Sequence, residues 1–156
     1  MTANTPIDTG ATAWVLVSCA LVLFMTPGLA FFYGGMVRSK NVLGMLMQNV
    51  FAMGLISVIW AVVGFSLAFG GTNKWFGNFD FLFLSDVANA PNLPGYVGDF
   101  ALVIPPLAFV AYQMMFAVIT PALITGATAD RMKFSTWAIF VPVWSVLVYV
   151  PVFKWV

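Results

Sequence analysis

Tyr112, Gln113 and Phe116 stand together in the apolar run Phe-Val-Ala-Tyr-Gln-Met-Met-Phe from Phe109 to Phe116. If that run is helical, Tyr112 and Phe116 lie one turn apart on one face, with Gln113 on the adjoining edge. Two rings and an amide in dry surroundings suit a small desolvated cation. Ring quadrupoles attract a cation by about 2 kcal/mol or more once water is excluded, and the amide supplies hydrogen bonds that an apolar wall lacks. The same pattern also fits plain packing, with stacked rings and an amide bonded to a neighbouring helix. At this point the residues leave both readings open.

Other chemistry is short of parts. The chain has no histidine, no glutamate and one cysteine, Cys19, which fits a small packing residue within an apolar segment. An ordinary metal site built from His, Cys and carboxylates is therefore not expected. Nor can a Ser-His-Asp or Cys-His arrangement be assembled. No Walker loop or dinucleotide fingerprint is present, and six scattered basic residues make no nucleic-acid footprint. An enzyme is not expected, nor is any cofactor or nucleic-acid partner.

The elements that must position the aromatic set are membrane helices. Hydrophobic residues make up 62% of the chain, charged residues 7%, and mean hydropathy is +1.01, whereas about a quarter of the residues of soluble domains are charged. A crossing needs about 20 mostly apolar residues. Four segments qualify, at about 12–37, 42–69, 103–129 and 134–155, which predicts an all-α membrane protein in a lipid bilayer. The first is too long for the apolar part of a signal peptide and lacks the basic residues that would precede it, so it is expected to be a retained span. Pro27-Gly28 and Pro121 are expected to disrupt the helical ladder, and Pro142 to bend the fourth span. Gln48 and Asn49 read as interhelical hydrogen-bonding residues, and the aromatic stretch from Trp75 to Leu84 as an interfacial belt.

Charge placement orients the spans, because positive residues concentrate in cytoplasmic loops. Arg38 and Lys40 lie between the first two spans and Arg131 and Lys133 between the last two; against Asp130 they leave that side at net +3. Lys74 and Lys154 share the other side with Asp8, Asp80, Asp86 and Asp99, net −2, which agrees with +1 for the chain. The short loops are thus expected in the cytoplasm, with the N-terminus and the long loop, Gly70 to about Leu102, outside.

Four strings carry a resemblance: AWVLVSCALVLFMTPGLAFFYGGMVRSKNVL from Ala13 to Leu43, WAVVGFSLAFG from Trp60 to Gly70, AFVAYQMMFAVITPALITGATADRMKFS from Ala108 to Ser135, and WSVLVYVP from Trp144 to Pro151. In order and spacing they resemble the N-terminal portion of the ammonium transporter (Amt/Mep/Rh) family. MTPGLAFFYGG and ADRMKFS place the chain nearer the Amt branch.

The resemblance implies a homotrimer with about eleven spans per subunit and a narrow apolar pore in each, in the plasma membrane. Ammonium, or methylammonium in its place, would be recruited outside by aromatic rings, lose its proton, and cross as ammonia past a pair of pore histidines. By position, Phe116 matches the external gate phenylalanine, Tyr112 an aromatic of the recruitment site, and Gln113 the glutamine that follows it. A PII-type cytosolic regulator is a family-level partner.

Departures also matter. Phe153 and Lys154 replace a common Ala-His pair, and Trp155 lies two positions before the place of the recruitment tryptophan, facing another side of the helix. That tryptophan, the twin histidines and a second gate phenylalanine are expected beyond Val156, so residues 1–156 read as a partial transmembrane domain. The alternatives are the membrane domain of an ammonium sensor and a non-conducting scaffold.

Overall fold

The computed structural model describes residues 7–71, 73, 75–89 and 103–155. Four helices are long and apolar enough to cross a membrane: α1 (Thr9–Met36), α2 (Ser39–Phe69), α3 (Pro106–Thr128) and α4 (Phe134–Trp155). No strand occurs among the described residues. Lys74, Asp99 and the rest of the long loop from 90 to 102 lie outside them.

Polar and proline residues set the helix ends that hydropathy only approximates. The Asp8 carboxylate accepts from the N–H groups of Gly10 at 2.7 Å and Ala11 at 3.1 Å, so α1 starts before its apolar run does. Pro106 occupies the first position of α3, where a missing N–H costs nothing. At the other end of α3 the chain turns at Asp130, with φ at +60°.

Pro27 and Pro121 do not end their helices. Helix continues through Pro27, Pro121 and Pro142, and the ladder widens into two π turns, Trp60–Gly64 in α2 and Ser145–Tyr149 in α4. Pro151 follows the second turn closely, and the widened ladder gives its ring room that regular i→i−4 bonding lacks. The two π turns meet through Trp60 and Tyr149, whose ring centroids are 6.3 Å apart. Gly64 makes room for the buried indole, since a Cβ there would stand 3.1 Å from its Cε3 atom.

Helices α1, α2 and α3 pack against one another, and α4 lies mainly along α2. Ile56, Trp60, Phe65, Val118, Pro121, Trp137 and Val141 form the most deeply buried part of the core. At the α1–α3 seam Tyr33 covers Gly126, where a Cβ would come within 2.6 Å of the ring, and the Tyr33 hydroxyl donates to the Leu123 carbonyl at 3.3 Å. This is close approach at a small residue, the usual basis of helix association in lipid. Between α2 and α3 the buried Asn49 amide donates to the Thr125 hydroxyl at 3.2 Å and to the Met45 carbonyl at 2.9 Å. Gln48, by contrast, makes no hydrogen bond among the described residues and lines a cavity of about 250 Å³ with Lys40, Asn41 and Asp130.

Both short turns lie at one end of the bundle, where the Asn41 amide donates to the Asp130 carboxylate. At the other end the Asp8 N–H donates to the Val103 carbonyl at 2.8 Å. The chain therefore alternates between a short-turn end and a long-loop end, as four successive crossings require. Outward-facing Trp14, Phe24, Phe31, Ile139 and Leu147 are all well exposed, a surface suited to lipid or further helices rather than to water.

Candidate functional site

Helix α3 carries no charged residue from Pro106 to Thr128. Tyr112 and Phe116 project from its long-loop half and meet edge to face, with centroids 5.1 Å apart and planes at 72°. The expected one-turn spacing thus brings the two rings together, tilted to each other rather than stacked. Phe116 remains 36% exposed while its neighbours Met115 and Ala117 are buried, so part of its ring is free of contact within the chain. Gln113 is half-buried, and its amide makes no hydrogen bond among the described residues. Its packing role as an interhelical bond is not realised there. The Thr120 hydroxyl, one turn further along, donates to the Phe116 carbonyl at 2.7 Å.

A wider chain of aromatic contacts reaches α3 at Phe109, one turn before Tyr112. Phe109, on the same side of α3 as Phe116, contacts Phe69 at the end of α2, with centroids 5.2 Å apart. Phe69 in turn meets Phe65 at 4.9 Å and Phe153 of α4 at 5.3 Å. Phe153 also packs on Trp60 at 5.9 Å. The long-loop ends of α2, α3 and α4 are therefore joined by rings.

The segment after α2 folds back over these ends. Gly77 N–H donates to the Leu67 carbonyl at 2.8 Å, the Ser66 hydroxyl donates to the Asn78 carbonyl at 2.8 Å, and Phe81 N–H donates to the Ser66 Oγ at 3.0 Å. Phe81 packs against Phe65 at 6.1 Å, while Trp75, Phe76, Phe79 and Phe83 stay exposed. The aromatic stretch is thus only partly a surface belt. Lys154 closes the arrangement, its Nζ donating to the Gly70 carbonyl at 3.1 Å and the Gly71 carbonyl at 3.2 Å. Trp155 sits edge-on against Trp75, at 5.5 Å and 88°.

Sequence reading missed the Lys154 clamp and the docked loop. The available signal was the close recurrence of Gly70, Gly71 and Gly77 just after an apolar span, followed by a lone lysine near the same end of another.

Chemically, the Tyr112–Phe116 pair can attract a cation through its rings, and Gln113 can hydrogen-bond it. Neither rings nor amide act as a base near neutral pH, so this set can hold and partly desolvate a cation but does not itself take up its proton. Among the described residues no cluster of three His, Cys, Asp or Glu could hold a metal.

The fold and site define a multi-pass membrane protein whose uncharged helical wall presents aromatic rings and an amide near one membrane face. The model of the Ammonium Transporter Family matches residues 13–156, and the chain belongs to that family. It is 48% identical over 159 residues to the ammonium transporter of Mycobacterium tuberculosis, covering 96% of this chain and 33% of that protein. Among solved structures it is similar to Saccharomyces cerevisiae Mep2, at 31% identity with a TM-score of 0.83, covering 98% of this chain and 33% of that one. A structure titled Sensor Amt Protein matches at 26% identity with a TM-score of 0.79, over 92% of this chain and 33% of that one. The chain spans about a third of the length of the relatives it matches.

Proposed function

We propose that the chain forms the external recruitment region of an ammonium transporter. The observation that carries this reading is the Tyr112–Phe116 edge-to-face pair with the Gln113 amide, which makes no hydrogen bond among the described residues, one position on from Tyr112, on a helix without charge. Ammonium approaching from outside meets rings that offset part of its lost hydration and an amide that accepts its N–H. Phe116 gates the route by size, admitting a dehydrated ion and excluding hydrated ones. Ammonium gives up its proton at this external vestibule, to a group other than these rings and amide, and ammonia crosses through an apolar pore. The working unit is a homotrimer of about eleven-span subunits in the plasma membrane, open to a PII-type regulator from the cytoplasm.

The test is uptake of labelled methylammonium by the intact protein in cells lacking their own ammonium uptake. Saturable uptake that ammonium competes and sodium does not is expected. Absence of flux from correctly assembled protein overturns transport; ligand binding without flux then favours a sensor, the reading that the similarity to the Sensor Amt Protein motivates.

Orientation follows from the same proposal and the positive charge around the short turns. Cysteines introduced as Ser39→Cys and Ser85→Cys in a Cys19→Ser background label from opposite faces, the second from outside. Labelling of both from one face contradicts the four-crossing arrangement, and labelling of Ser39→Cys from outside reverses the orientation.

A further inference from the structure

Lys154 is half-buried at the end of α4, and its ammonium group donates to two backbone carbonyls, Gly70 and Gly71, where α2 ends. Both carbonyls lie just past the last helical residue, Phe69, in non-helical backbone, where carbonyls have no intrahelical donor and a nearby basic side chain can satisfy them; the Gly70 carbonyl also accepts from the Asn78 N–H at 3.3 Å. The neighbours of Lys154 extend this tie. Phe153 packs on Phe69, Phe69 on Phe109, and Phe109 lies one turn before Tyr112 on α3. Trp155 meanwhile holds Trp75 of the docked segment. Three consecutive residues of α4 thus grip α2, the chain of rings that reaches α3 at Phe109, and the docked segment.

We infer that Lys154 is a positioning residue for the external site: it locks the end of α4 to the end of α2 and so holds the chain of rings that places Tyr112, Gln113 and Phe116. It does not itself touch the substrate, because its charge is spent on the Gly70 and Gly71 carbonyls. The inference rests on the transport reading above.

The experiment compares Lys154→Met, Lys154→Gln and Lys154→Arg in the intact protein by two readouts, the concentration dependence of methylammonium uptake and hydrogen exchange of the Gly77 and Phe81 amides. Methionine keeps the apolar stem without a donor, glutamine a shorter neutral donor, and arginine both charge and donors. The expected result for Lys154→Met is about a tenfold rise in half-saturating concentration with maximal rate within about twofold, together with about a tenfold loss of amide protection, since losing a charge-assisted bond is commonly a tenfold effect or more. Glutamine is intermediate and arginine restores both readouts.

Lost protection with unchanged half-saturation would reduce Lys154 to a structural cap and overturn the inference. Changed half-saturation with intact protection, varying with salt, would also overturn it, because Lys154 would then act on the cation directly through its charge. If wild-type protein moves no methylammonium while protection still depends on Lys154, the transport reading fails and takes the positioning role with it, leaving only the clamp.

Discussion

Phe116→Ala in the intact protein is expected to raise the half-saturating concentration of methylammonium about 30-fold, the equivalent of about 2 kcal/mol of cation–ring attraction in a desolvated site. The fold should hardly notice. Phe116 is 36% exposed, its ring meets that of Tyr112 edge to face, and alanine favours helix. Trimer assembly and thermal stability therefore stay near wild type while uptake changes. Two further substitutions separate the duties of the ring. Phe116→Leu keeps apolar bulk without a quadrupole, so it should weaken uptake and still exclude sodium, whereas Phe116→Ala should also admit sodium as a competitor. If leucine transports like phenylalanine, the residue is a plug and the cation is stabilised elsewhere. Wild-type uptake and selectivity in the alanine variant would remove Phe116 from the mechanism.

The ring pair was legible in the sequence because it depends on one local rule, the i, i+4 spacing of a helix, acting in a segment whose apolar length already marks a membrane span. The four spans were legible for the same reason. Their ends were less so, since Asp8 and Pro106 act through a hydrogen bond and a missing donor that hydropathy does not register. Proline was misleading. Pro27 and Pro121 sit within continuous helix, and the irregular turns fall where Trp60 and Tyr149 meet across helices. Such a contact lies between residues 89 positions apart, and no local pattern reports it. Gln48 and Asn49 make the same point as adjacent residues, for only Asn49 faces the Thr125 hydroxyl.

Gly77→Ala is expected to undock the segment that covers the long-loop end. A Cβ at Gly77 would stand 2.6 Å from the Ser66 carbonyl oxygen and nearer still to that of Leu67. These are backbone atoms at the end of a buried helix, so they cannot swing aside as a side chain would. The segment must lift instead, giving up the Gly77–Leu67 bond and the two bonds of the Ser66 hydroxyl. At about 1 kcal/mol each the loss is about 3 kcal/mol, or about a 100-fold fall in exchange protection at Phe81. Gly54→Ala is the control, since nothing lies within 4 Å of its would-be Cβ, and it should leave protection unchanged. Because Lys154 grips carbonyls at the root of the same segment, the two sites belong to one cooperative unit. Adding Lys154→Met to Gly77→Ala should then change protection and half-saturation far less than the sum of the single effects. Full additivity would mean that the clamp and the docked segment hold the chain of rings independently, and the site would have two supports where one is argued.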